Sequence, residues 1–238
     1  MTYPASPSKI LFNGDSLCIG LAETGSWSTR IADRLSIPCF NYARGGGTIT
    51  ENPPPLKSGP ARHSVSATLA KMHEEHPDAD YILIEGGSND ADLFDAEIRA
   101  GQADRLGHLD PWDFGGEYDR DTFTGALESI FFRALALWPE ARIGYIVAPK
   151  MGTSPNSLSN RRLYFDRAVA VCRKWGIPYV DLWEGYHLNP CHPAHYCREN
   201  TAAENRDQNV GYYYDGQHLT ARGYDVTADR ILRWLLTL

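Results

Sequence analysis

The sequence lacks any apolar run that approaches the roughly 20 consecutive residues needed to span a bilayer. Its first residues, Met1 to Ser8, also lack the charged start and apolar stretch of a secretory signal peptide. These two absences lead us to expect a cytoplasmic protein with no membrane partner.

An excess of basic residues is absent too. The 238 residues include 23 Lys and Arg against 30 Asp and Glu, which gives a formal net charge of −7. Nucleic acids and anionic membrane surfaces attract clustered positive charge, so neither partner is expected. Hydrophobic residues make up 42% of the chain and charged residues 22%, the balance of a globular protein with a sizeable core. We expect one domain over residues 1–238.

Cysteine is scarce and its count is odd, which favours mostly reduced thiols. Two of the five cysteines, Cys191 and Cys197, enclose His192 and His195 in a seven-residue stretch. A local disulfide, a metal site and a plain loop are all compatible with this stretch. Its spacing matches no common zinc motif, so we favour the plain loop and predict no metal.

Short apolar runs alternate with helical patterns along the chain, which predicts an α/β fold with a parallel sheet covered on both faces. The predicted strands are Lys9–Asn13, Pro38–Tyr42, Tyr81–Glu85, Arg142–Val147 and Ile177–Leu182. The predicted helices are Ser26–Leu35, Ser64–His76, Thr122–Trp138, Ser157–Trp175 and Thr220–Leu236.

Two stretches interrupt the alternation, at about residues 93–118 and 184–214. Long loops in compact domains are commonly functional, so we expect both to wall the substrate side of an active site. Their aromatic residues could line a pocket or could pack the insertions onto the core; these are Trp112, Phe114, Trp183 and Tyr186.

Polar motifs follow three of the predicted strands. Gly14-Asp15-Ser16-Leu17 follows the first strand, where a serine at a tight turn can expose its hydroxyl. A helix cap is the alternative interpretation. The glycines Gly45–Gly47 follow the second strand and could bring a backbone N–H close to a reacting oxygen. Asn89, after the third strand, could donate its amide to an oxyanion or could merely form an Asx turn.

Asp215 and His218 lie just before the last predicted helix. Histidine is the usual base for a serine hydroxyl, and a carboxylate three residues earlier can hold its other ring nitrogen. Taken alone, this pair could equally be a cap and a polar loop residue.

Together these motifs, in this order, resemble the GDSL or SGNH hydrolase family over Ile10 to Leu219. The resemblance implies a three-layer α/β/α fold of flavodoxin-like type with a central five-stranded parallel sheet, and no cofactor. It implies Ser16 as nucleophile, His218 as general base and Asp215 as the residue that orients His218.

The implied oxyanion hole consists of the Ser16 and Gly46 N–H groups and the Asn89 amide. The resemblance points to Gly46 because it lies five residues after Asn41, as the glycine does in the family's motif, but its neighbours Gly45 and Gly47 stay open as alternatives.

The expected activity is hydrolysis of carboxylic esters through an acyl-enzyme, with short acyl groups such as those of acetylated carbohydrate as the first candidate. A lipase, lysophospholipase or thioesterase of the same family is an alternative. A non-catalytic carbohydrate-binding module and a metal-dependent hydrolase using residues 191–197 are alternatives of other classes. Additional candidate substrate contacts are Asp15, Arg44, Glu85 and Tyr214.

Overall fold

The computed structural model of the protein describes residues 9–53, 62–94, 105–185, 188–196 and 211–238. Its strands are β1 (Ile10–Asn13), β2 (Cys39–Asn41), β3 (Tyr81–Glu85), β4 (Arg142–Val147) and β5 (Tyr179–Asp181). They form one parallel sheet in the order β2-β1-β3-β4-β5. This is the predicted five-stranded parallel sheet.

The central strand β3 explains why the sheet must be covered on both faces. Its sequence YILIE has no alternation of apolar and polar residues, and all of its residues are buried. Continuous apolar runs of this kind are typical of parallel strands that lie between two layers of helices. β3 pairs with β1 on one side and with β4 on the other.

Helices supply the two outer layers. Trp27 donates from Nε1 to Thr227 Oγ1 at 2.8 Å and joins the second helix to the last one. A buried ion pair between Lys174 and Glu128 joins two other helices. The helices are α1 (Ser16–Ile19), α2 (Trp27–Leu35), α3 (Leu69–Glu75), α4 (Ser88–Leu93), α5 (Phe123–Leu137), α6 (Pro155–Trp175) and α7 (Ala221–Leu235), with a 3₁₀ turn at Val65–Thr68 before α3. None of the described helices is both long and apolar enough to cross a bilayer.

The observed bounds agree closely with the predicted ones, and they agree best in the buried centre of the sheet. β3 and β4 have the predicted limits, whereas β5 is three residues long instead of six. Two helices were not predicted, α1 and α4. They are four and six residues long, too short to show a helical period.

The two predicted insertions are only partly described. Residues 105–118 contain no helix or strand, and residues 95–104, 186–187 and 197–210 lie outside the described residues. Phe114 packs edge-on against Trp175 with ring centroids 5.4 Å apart, and Trp183 packs against Phe165 at 5.5 Å. Trp112 is 86% exposed. Trp183 is buried and packs onto the core, whereas Phe114 contacts Trp175 but stays 49% exposed.

Leu83, in the middle of β3, tests the contribution of the sheet to stability. Its side chain has no exposed surface, so Leu83→Ala should lower the free energy of unfolding by about 2–5 kcal/mol through lost burial and a residual cavity. Urea denaturation measures this change. The matched control is Leu163→Ala at a 39% exposed position of α6, which should change stability by no more than about 0.5 kcal/mol. Equal effects of the two substitutions would contradict the described burial.

Candidate active site

The turn after β1 brings Ser16 to the carboxyl edge of the sheet. Asp15 is the N-cap of α1, and its Oδ1 accepts from Leu17 N at 2.9 Å. The turn passes so close to β3 that a Cβ on Gly14 would lie 2.6 Å from Glu85 Oε2. Only glycine fits there without displacing a buried neighbour, which explains why this residue precedes the Asp-Ser pair.

Ser16, His218 and Asp215 form a continuous chain of hydrogen bonds. His218 Nε2 lies 2.9 Å from Ser16 Oγ, and His218 Nδ1 lies 2.6 Å from Asp215 Oδ2. The other carboxylate oxygen, Oδ1, accepts from the backbone N–H groups of Gln217 at 2.9 Å and His218 at 2.7 Å. The carboxylate is therefore fixed by its own turn, and the imidazole is fixed by the carboxylate.

The loop that carries Asp215 and His218 is supported from both sides. Gly216 adopts φ +81°, and its carbonyl accepts from Gly152 N at 2.8 Å. The Tyr214 ring stacks on the His218 imidazole with centroids 5.6 Å apart and an interplanar angle of 14°. Tyr214, predicted from the sequence as a candidate substrate contact, thus contacts the His218 imidazole.

Asp215 also sets the protonation of the pair. Burial lowers the pKa of His218, but the hydrogen bond and charge of Asp215 outweigh it, so the net pKa is raised above the ordinary 6.5. Burial raises the pKa of Asp215, but the hydrogen bond and charge of His218 lower it below the ordinary range overall. Each group favours the charged form of the other, as a catalytic carboxylate–imidazole pair requires.

Two backbone N–H groups near Ser16 are free to bind a developing negative charge. Within the described residues, neither Ser16 N nor Gly46 N has a protein acceptor. Gly46 lines the same cleft as Ser16 and has φ +73°. Gly47 differs because its N–H donates to the Arg44 carbonyl at 3.0 Å. Of these two glycines, Gly46 is therefore the one whose backbone N–H is available as a donor in the cleft.

The Asn89 carboxamide lines the cleft and is held at both ends. Its Nδ2 donates to Asp15 Oδ2 and to the Gly47 carbonyl, each at 3.0 Å. Its Oδ1 accepts from Arg62 Nη1 at 3.2 Å. Both amide hydrogens thus have acceptors in this structure.

Two of the candidate substrate contacts lie beneath the site and not in the lining of the cleft. Asp15 and Glu85 are 0% exposed, so neither carboxyl group reaches a ligand in the cleft. Instead, Glu85 Oε2 accepts from Asp15 N at 3.1 Å, beneath the turn that carries Ser16. Burial and the nearby Asp15 charge raise the pKa of Glu85 well above its ordinary value, which favours the protonated form. Arg44 is exposed, and its N–H donates to the Gly14 carbonyl at 3.0 Å.

The cleft beside Ser16 has a volume of about 230 Å³ and a mostly polar lining. Its lining residues are Ser16, Leu17, Gly46, Ser88, Asn89, Met151, Gln217 and His218. Ser88 and Gln217 were not singled out from the sequence, although they lie inside two of the motifs. Met151 and the adjoining Arg62 belong to no motif, and nothing in the sequence marked them.

The segment Cys191–Cys197 is described only in part, because Cys197 lies outside the described residues. His192 Nδ1 accepts from Ala194 N at 3.2 Å and His195 Nδ1 accepts from Asn189 N at 3.0 Å, so backbone donors occupy one nitrogen of each ring. Cys191 is exposed. In the described part of the chain, no three side chains of His, Cys, Asp or Glu are grouped as a metal site.

Solved structures share this fold over nearly the whole chain. A carbohydrate acetylesterase from Sinorhizobium meliloti is 14% identical, with a TM-score of 0.60 over 97% of this chain and 99% of the other. An aryl esterase from M. smegmatis is 14% identical, with a TM-score of 0.61 over 97% and 99%. A lipase/acylhydrolase from Enterococcus faecalis is 16% identical, with a TM-score of 0.61 over 97% and 96%. At such low identity these likenesses show the fold alone.

Sequence comparison gives the family. No curated protein sequence matches the chain. The sequence profile of the GDSL-like lipase/acylhydrolase family, however, matches residues 12–226, which include all of the motifs discussed above. The chain therefore belongs to the GDSL-like lipase/acylhydrolase family.

Proposed function

We propose that this protein is a serine-dependent carboxylic ester hydrolase in which Ser16 is the nucleophile, His218 the general base and Asp215 the residue that orients His218. The observation that carries the proposal is the hydrogen-bond chain from Ser16 Oγ to His218 Nε2, 2.9 Å, and from His218 Nδ1 to Asp215 Oδ2, 2.6 Å. A nucleophile, a base and an orienting carboxylate at these distances are what acyl transfer needs.

The reaction then proceeds in two halves. Ser16 Oγ attacks the ester carbonyl while His218 Nε2 takes its proton, and the same imidazole returns that proton to the leaving alcohol. A water molecule next attacks the acyl-enzyme, again with His218 as base, and releases the acid and the free serine. Asp215 keeps the proton on Nδ1, so that Nε2 stays available throughout.

The negative oxygen of each tetrahedral intermediate needs donors on the opposite side from His218. The unpaired N–H groups of Ser16 and Gly46 supply two of them. Asn89 supplies a third when its Nδ2 exchanges the Gly47 carbonyl for the substrate oxygen. Such tightening on reaction is normal, because catalytic hydrogen bonds are often formed only in the substrate complex.

The cleft supports esters of short acyl groups. Its volume of about 230 Å³ is below the roughly 300–1,000 Å³ of pockets for drug-sized ligands. Only Leu17 and Met151 contribute apolar side chains to its described lining. Acetylated carbohydrate remains the first candidate substrate, supported by the likeness to a carbohydrate acetylesterase. A lipase or thioesterase specificity is the alternative, since the family includes lipases.

Ser16→Ala tests the nucleophile. We expect it to lower kcat by roughly 10⁴-fold or more on p-nitrophenyl acetate, without a change in thermal stability. Ser159→Ala, at an exposed serine of α6, is the matched control and should keep full activity. Near wild-type activity of Ser16→Ala would exclude the serine mechanism.

Chain length and metal dependence are measured in the same assay. Wild type should be insensitive to EDTA and should prefer acetate over butyrate, octanoate and palmitate. A preference for octanoate or palmitate would favour the lipase alternative. Loss of activity in EDTA would favour a metal-dependent hydrolase, and no hydrolysis of any ester would favour a non-catalytic binding module.

The pH profile tests the base. Because the neutral imidazole is the active form and Asp215 raises its pKa, kcat/KM should rise with pH with a midpoint above 6.5. Asp215→Asn removes the charge that raises this pKa, so its midpoint should move to lower pH and its kcat should fall. A midpoint that does not move in Asp215→Asn would show that this carboxylate does not set the protonation of the base.

Asn89→Ala tests the oxyanion hole. We expect kcat to fall by about 100-fold or more while KM changes little, because the amide acts on charge that develops only in the transition state. Asn52→Ala, at an exposed asparagine whose Nδ2 donates to Asp121, is the matched control. An unchanged kcat would remove Asn89 from this role.

A further inference from the structure

Arg62 contacts both residues that the proposed function places beside Ser16 in the oxyanion hole. Its Nη1 donates to Asn89 Oδ1 at 3.2 Å and lies 3.4 Å from the Gly46 carbonyl oxygen. The second contact is long for a hydrogen bond, so the bond to Asn89 is the stronger of the two. Arg62 is thus attached to the back of the oxyanion hole and is absent from the cleft lining.

The surroundings of Asn89 permit only one orientation of its carboxamide. On the Nδ2 side lie two acceptors, the Asp15 carboxylate and the Gly47 carbonyl. On the Oδ1 side lies a cationic donor, Arg62. A flipped amide would place oxygen against two acceptors and nitrogen against a cation, so the network assigns the amide unambiguously.

We propose that Arg62 is a positioning residue of the oxyanion hole, which holds the Asn89 carboxamide with its N–H groups available to the substrate oxygen. This inference rests on the proposed function and extends it to a residue outside the motifs. A donor on the carbonyl oxygen of an amide also polarises the amide and strengthens its N–H groups as donors. Arg62 therefore acts on the substrate through Asn89.

The electrostatic setting of Arg62 suits this role. In the described protein no Asp or Glu forms an ion pair with Arg62, so its charge is not neutralised locally. Its Nε is buried without a hydrogen-bond partner among the described residues. An unsatisfied buried donor lowers stability, which is difficult to explain if Arg62 serves stability alone. The retained positive charge lies against the Asn89 carbonyl oxygen and polarises that amide.

The kinetic consequence is specific. Because Asn89 binds charge that exists only in the transition state, Arg62→Ala should lower kcat about ten-fold on p-nitrophenyl acetate and leave KM within about two-fold. Arg173→Ala, at an exposed arginine in the last turn of α6, is the matched control and should retain wild-type kcat. A rise in KM with unchanged kcat would overturn the proposal, because it would place Arg62 in ground-state substrate binding.

A double-mutant cycle separates action through Asn89 from a general structural role. In the Asn89→Ala background, Arg62→Ala should change kcat by less than about two-fold, because the amide that it holds is already gone. A further loss of about ten-fold in the double variant, beyond the loss caused by Asn89→Ala alone, would overturn the proposal, whatever the thermal stability of the variants.

A measurement without turnover keeps the proposal testable if no ester proves to be a substrate. The two Nδ2 proton resonances of Asn89, identified by their loss in Asn89→Ala, should shift in Arg62→Ala and stay in place in Arg173→Ala. Unchanged Asn89 resonances in Arg62→Ala would overturn the proposal even in an active esterase. Shifted resonances in a protein that hydrolyses no ester would support the contact while the proposed function fails.

Discussion

The buried carboxylate of Asp15 is the constraint on which the rest of the site depends. A carboxylate with no exposed surface is costly unless it is fully hydrogen-bonded, and no Lys or Arg of the described residues forms an ion pair with Asp15. Its oxygens accept from Leu17 N at 2.9 Å, Ser88 Oγ at 2.6 Å and Asn89 Nδ2 at 3.0 Å. These hydrogen bonds to the Asp15 carboxylate join the turn after β1 to the start of α4. Ser16 is therefore placed beside Asn89.

A second buried carboxylate joins the remaining loop to the same assembly. Asp90 accepts from the N–H groups of Ile49 and Thr50, each at 2.9 Å, and from the Thr50 hydroxyl at 2.7 Å. The loop after β2, which carries Gly46, is thereby tied to the helix that carries Asn89. The proposed oxyanion donors come from three strand ends, yet the two aspartates connect them as one rigid unit. Such preorganisation is what makes fixed donors effective in catalysis.

The sequence predicted the centre of this protein better than its details, for physical reasons. β3 and β4 are marked by apolar runs, and the residues matched by the family profile include the motifs around Ser16, Asn89 and His218. A motif, however, gives the order of residues along the chain and does not show how deeply each side chain is buried. Asp15 precedes the serine and Glu85 ends the third predicted strand, which made both candidate substrate contacts, yet both side chains are fully buried. Arg62 carried no signal because its importance arises only where separate loops meet.

The buried Asp15 carboxylate also determines which charges are favourable elsewhere around the site. Asp15 lies beneath the nucleophile, and its negative charge raises the pKa of His218 in addition to the larger effect of Asp215. In the proposed mechanism this charge stabilises the imidazolium that forms when Ser16 gives up its proton, but it opposes the oxyanion that forms at the same moment. The opposing effect must be offset on the substrate side by neutral donors and by positive charge. Arg62 lies at the far end of the Asn89 amide from Asp15, so the amide dipole points from cation to anion across the site. On the proposed mechanism, the buried aspartate that organises the site thus opposes the oxyanion, and the Ser16 and Gly46 N–H groups, together with Arg62 acting through Asn89, offset that opposition.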